Sequence, residues 1–176
     1  EIIVPQDYTL KLSQAGGLPL GAKTLTLSGG GTLQSEGLDL NHQNSKLLLS
    51  SITVDSVTTS ESSLGLDIDG DSSITSLSVS NITPVAIATD KTLSGSISVS
   101  AGSLNLTETG TLASAITMSG GKLDADASMV ISGTFTQAGN ATIDVKSGKT
   151  VTFDTGTINT ESHQLTFEGE GTVAFP

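Results

Sequence analysis

Apolar and polar residues alternate along most of the chain, in short runs broken by Gly, Ser, Asn and Asp. Clear cases are Leu25/Leu27, Leu38/Leu40, Leu47/Leu49, Ile52/Val54 and Leu64/Leu66/Ile68. The same rhythm continues at Leu77/Val79, Ile97/Val99, Leu104/Leu106 and Ile116/Met118. A period of two puts successive side chains on opposite faces of an extended strand. The intervening residues are turn formers. No stretch carries a helical period over three turns, so the pattern predicts an all-β chain of short strands.

The strands also repeat. ISVSAGSLNL at 97–106 returns as ITMSGGKLDA at 116–125, a shift of 19 residues. ATIDVKSGKTVTF at 141–153 returns as HQLTFEGEGTVAF at 163–175, a shift of 22. That second shift places Ile143, Val145, Val151 and Phe153 on Leu165, Phe167, Val173 and Phe175. Gly-Thr-apolar recurs at Gly110, Gly133 and Gly156, spaced 23 apart. A drifting period of about 20 residues is the signature of a solenoid, whose units bury their apolar faces only against their neighbours. The segment 55–95 reads as less regular, with a break expected at Pro84.

The apolar residues are mostly aliphatic, with four Phe, one Tyr and no Trp. A sandwich core is built on larger side chains; a narrow core of stacked Leu, Val and Ile needs none. The expected fold is a right-handed parallel β-helix of about eight or nine coils, tandem β-sandwich domains being the alternative. At ~4.8 Å per coil the rod is about 40 Å long. Residues 1–176 read as a single solenoid domain. The pattern stops in mid-repeat at Phe175-Pro176, as expected of a fragment of a larger protein.

Charge narrows the partners. The chain has a formal net charge of −11, seven Lys and no Arg, with the acidic residues spread along its length. Nucleic acid and anionic membrane are disfavoured, since phosphate binding needs clustered cations. No apolar run approaches the ~20 residues of a membrane-spanning helix. Cysteine is absent, which removes disulfides and thiolate metal sites.

The phrases TLTLSGGGTL at 24–33, AITMSGGKLDADASMVISGTF at 115–135 and QLTFEGEGTVAF at 164–175 resemble the repeats of large bacterial surface β-solenoids. These are the autotransporter passenger domains and filamentous-haemagglutinin-like adhesins. The resemblance is one of rhythm and carries no functional residue across. It implies a secreted, extracellular, non-catalytic segment, a rigid stalk or adhesin passenger at the bacterial cell surface. The partners it implies are flanking repeats of the same parent chain and an extracellular glycan or protein target. Uncapped end coils add end-to-end self-association.

Candidate sites are few. Asp67, Asp69 and Asp71 alternate around Gly70 and offer oxygen ligands for Ca²⁺, although Ser78 stands where an EF-hand loop places its bidentate Glu. The competing reading is a solvated acidic turn. Asp124/Asp126 and Glu168/Glu170 are carboxylate pairs of the kind glycoside hydrolysis uses, with an acidic outer face as the simpler reading. His42 and His163 are remote from each other and read as surface residues. Thr-x-Thr pairs occur at Thr24/Thr26, Thr107/Thr109, Thr134/Thr136, Thr150/Thr152 and Thr155/Thr157. A flat stack of such pairs would make an ice- or glycan-binding module, but their spacing is irregular. Asn81, Asn105 and Asn140 begin Asn-x-Thr motifs near background frequency in a chain this rich in Thr.

Overall fold

A computed structural model describes residues 1–14, 17–154, 158–160 and 162–175. Among them all regular structure is β-strand, and every pairing is parallel. Strands from successive passes of the chain stack on one another, which is a parallel β-solenoid. The expected fold class therefore holds, and the sandwich alternative falls.

Each coil has up to three strands, which build three faces. Face I is a nine-stranded sheet running from Ile2–Ile3 through Thr24–Ser28, Lys46–Ser50 and Gly65–Ile68 to Leu165–Glu168. Faces II and III belong to one fourteen-stranded sheet bent at a corner. Face II runs from Thr9–Leu12 to Thr172–Ala174, and face III from Leu18–Pro19 to Ile158–Asn159. The strands Thr53–Thr59, Ser72–Val79 and Thr92–Val99 turn the corner unbroken and so join the two faces.

The core follows from the alternation. On face I, Leu25, Leu47, Leu66, Val85, Leu106, Ala125 and Val145 form one column in strict register. On face III, Leu38, Val57, Leu77, Ile97, Ile116 and Phe135 form another. These columns interdigitate in one continuous apolar cluster running from Val4 to Phe153. Each fully buried Leu, Ile or Val contributes about 1.5–3 kcal/mol, offset by the entropy of ordering the chain.

The shift of 19 is observed, with Ile97 on Ile116 and Leu104 on Leu123. The shift of 22 holds only on face II, where Val151 pairs with Val173. On face I the register is 24, so Ile143 meets Phe167 and Ala141 meets Leu165. Two residues are taken up between the faces. The 23-residue glycine spacing changes face: Gly110 precedes Thr111–Leu112 on face II, whereas Gly133 precedes Phe135–Gln137 on face III. Gly156 lies outside the described residues. The expected break at Pro84 does not occur, because Pro84 lies inside the strand Ile82–Ile87. Pairing of that strand with the preceding coil starts only at Val85, so the missing N–H of Pro84 costs no ladder bond there.

Candidate functional site

The aspartates flagged for Ca²⁺ sit at the end of one face I strand. Asp67 is half-buried, and the Lys46 ammonium lies 2.7 Å from its Oδ2. Asp71 is exposed and its Oδ1 accepts the Thr92 N–H at 2.9 Å. Asp69 is exposed. Two of the three are thus engaged by neighbouring coils. Among the described residues no group of three or more carboxylate or imidazole side chains is placed to hold a metal ion.

The carboxylate pairs visible in the sequence are not the pairs the fold makes. Asp124 points outward from Lys122–Ala125 and Asp126 lies beyond the strand end. Asp124 instead stacks on Asp144 of the next coil, and Asp144 on exposed Glu168. Lys146 lies 2.9 Å from both Asp124 and Asp144, and Lys122 bonds Asp144 from the other side. The hydrogen bond from Lys122, with that from Lys146, holds the Asp144 carboxyl below the usual carboxylate range. Bonds to Asp124 and Asp144 raise Lys146, and the bond to Asp144 raises Lys122. An acid catalyst needs a raised carboxyl pKa; this cluster shifts Asp144 the other way, as a structural ion ladder does. His42 Nδ1 accepts the Asn44 N–H at 3.0 Å, and His163 is exposed on a far coil. Asn81 donates to the Ser60 carbonyl, and Asn140 accepts from the Gln164 N–H.

The most regular surface is the outside of face III. Five consecutive coils place SVTTS at 56–60, SLSVS at 76–80, SISVS at 96–100, AITMS at 115–119 and TFTQA at 134–138 in register. Their second and fourth residues turn inward; the first, third and fifth turn outward. Fifteen outward positions result, and all are Ser, Thr or Ala. The middle column is Thr58, Ser78, Ser98, Thr117 and Thr136. Its neighbours are Ser56, Ser76, Ser96, Ala115, Thr134 on one side and Ser60, Ser80, Ser100, Ser119, Ala138 on the other. Columns two residues apart stand about 6.7 Å from each other and rows about 4.8 Å. In a chain of net charge −11 none of these fifteen positions is charged, and Asp39 of the preceding coil stands beside Thr58 at the head of the middle column. Several flanking hydroxyls bond back to the coil before, as Ser80 does to the Thr59 carbonyl at 2.7 Å and Ser96 to the Thr75 carbonyl at 2.7 Å. The middle column shows no such bond among the described residues and presents its hydroxyls to solvent.

The sequence signal for this face was present but needed Ser counted with Thr. Of the Thr-x-Thr pairs, only Thr134/Thr136 lies on it. Thr24 and Thr26 lie on face I, followed by Lys46 and Leu48 in the next coil. Thr150 and Thr152 lie on face II, over Thr172 and Ala174. Thr107 and Thr109 follow a face I strand, and Thr155/Thr157 lie outside the described residues.

Beside this face, the corner between faces II and III opens a groove of about 530 Å³. Its floor and walls come from four coils, through Lys11, Gln34, Ser35, Asp55, Ser56 and Thr75 among others. The corner is irregular at its last coil. In Ser72–Val79 both Thr75 and Ser76 turn outward, one residue more than in Thr92–Val99, so the register slips between Ile74 and Leu77. In the next coil Gly95, at φ +112°, tucks beneath the Ile74 carbonyl, where a Cβ would lie 1.8 Å from the oxygen. That closes the groove toward the C-terminal coils.

Comparison of the chain with protein-family models, with curated proteins and with solved structures found no match.

Proposed function

We propose that this chain is a rigid, non-catalytic segment of a large secreted bacterial cell-surface protein, serving as stalk or adhesin passenger. The observation that carries the reading is the unbroken parallel ladder over nine face I strands, with one apolar core along its whole length. Such a rod transmits force through stacked coils and keeps a bound partner at a distance. Its acidic surface keeps neighbouring rods apart. Antibodies against the folded chain should label intact cells that express the parent protein. Labelling only after permeabilisation would end the reading.

A second reading, an ice- or glycan-binding module, is favoured by one observation, the uncharged hydroxyl array on face III. Regular hydroxyl and methyl groups on a flat lattice of about 4.8 by 6.7 Å can order water or lie against another ordered surface. Inhibition of ice recrystallisation by the wild type, lost in Ser98→Lys and Thr117→Lys, is the expected result for ice. Equal growth of ice grains with wild type and variants would remove it.

A further inference from the structure

We infer that the corner groove between faces II and III is a binding site for a short, neutral saccharide. The inference deepens the glycan-binding reading and rests on it; the stalk reading neither requires nor opposes it.

Two observations converge. The groove is of the size that holds small organic ligands, about 300–1,000 Å³. Its lining is built for hydroxyl groups. Asp55 accepts hydrogen bonds, Lys11 donates them, and Gln34, Ser56 and Thr75 can do both. Lys11 pairs in register with Gln34, and Asp55 follows Val54, the partner of Leu33, so these groups come from three successive coils along the groove. Among the described residues of the lining Leu12 is the apolar one, and it offers the C–H face of a sugar ring something to lie on.

Ser35 also borders the groove and is 9 % exposed, but its hydroxyl oxygen is itself buried, without a hydrogen-bond partner among the described residues, and is not offered to a ligand.

The charge of the lining selects the sugar. Asp55 and Glu36 outnumber Lys11, and the whole chain is acidic. Phosphorylated, sulfated and uronic saccharides are repelled. Neutral hexose and N-acetylhexosamine units are not.

The test is a two-dimensional ¹⁵N NMR titration of the intact 176-residue chain with maltose, cellobiose and an N-acetylglucosamine disaccharide. A digalacturonic acid serves as the anionic control. Expected are amide shifts at Gln34, Ser35, Asp55 and Ser56 with at least one neutral sugar, and none with the acid. Gln34→Ala and Asp55→Ala, both at exposed positions, should weaken binding tenfold or more with unchanged melting curves. Ser35→Ala should bind as the wild type does, with the fold intact or slightly stabilised, because it deletes a buried, unpartnered hydroxyl that does not reach the groove. Thr117→Lys on face III should bind as the wild type does. Shifts confined to face III, or lost in Thr117→Lys alone, would overturn the groove while leaving the hydroxyl array as the glycan site. Preference for the acid, or no shift at tens of millimolar neutral sugar, would overturn the proposal outright.

Discussion

Asp144 lies directly beyond Asp124 on the outward side of face I, and the two carboxylates share Lys146 at 2.9 Å each. Two like charges one coil apart would repel. With Lys122 and Lys146 between them they become a ladder that fixes the register of adjacent coils.

The ladder predicts a pH signature. The folded pKa of Asp144 is depressed, so its contribution is present above the unfolded value and lost as pH falls through the lower folded value. Lys122 and Lys146 are raised, so theirs is present below the unfolded value and lost as pH rises through the folded ones. Asp144→Asn should melt a few degrees below wild type at neutral pH. The gap should begin to shrink as pH falls below about 4, the ordinary carboxylate value, and close only below the lower folded value, where the wild-type carboxylate is protonated too. A gap that persists undiminished in acid would assign the loss to packing.

Val151 is fully buried between Met129 and Val173. Val151→Asp places an unpaired charge in the apolar core and should cost about 4 kcal/mol or more, enough to unfold the chain. Thr152→Asp, the next residue on the outward side, should cost little. Circular dichroism melts of the two distinguish them, and equal melting temperatures would refute the assigned register.

Gln137 is wholly buried beside Met118, and neither of its amide atoms has a hydrogen-bond partner among the described residues. Gln137→Met continues the Met118 column and removes that desolvation penalty. The variant should gain about 1 kcal/mol or more in chemical denaturation. A loss of stability would mean that the amide has a partner the apolar variant cannot replace.

Calcium has to displace Lys46 from Asp67 before the 67–71 turn can chelate it. Millimolar Ca²⁺ is therefore expected to leave the wild-type melting temperature unchanged. A clear rise, abolished by Asp69→Asn, would establish the turn as a metal site.

The last coil leaves Phe167 50 % and Phe175 56 % exposed, and the first leaves Ile3 64 % and Tyr8 68 % exposed. Phe175 stacks on Phe153 at 5.5 Å, and Phe153 in turn pairs with Ile131 of the coil before. Unpaired strand edges beside such residues favour end-on contact. Light scattering across a concentration series should show growth that Phe167→Ser with Phe175→Ser reduces. A monomer at high protein and high salt would show that these edges are blocked.

The alternation of Leu, Val and Ile with Ser and Thr determined the strands, the parallel stacking and the aliphatic core. Those follow from a period of two and a repeat near 20 residues, both of which are local and additive. The 19-residue register of Ile97 on Ile116 was legible because no residue is inserted between those coils. The register of Ile143 on Phe167 was not, because the best sequence match lay on face II and the extra residues between faces leave no mark in composition. The tertiary structure alone decided which outward side chains become neighbours. Asp124 and Asp144 are 20 residues apart in sequence and one coil apart in space. Ser98 and Thr117 belong to one array only because their coils stack without slippage. The groove brings together residues of four coils, from Lys11 to Ser76, and ends where the register slips between Ile74 and Leu77. An alternating pattern says which face a side chain takes; only the stacking of coils says what stands beside it.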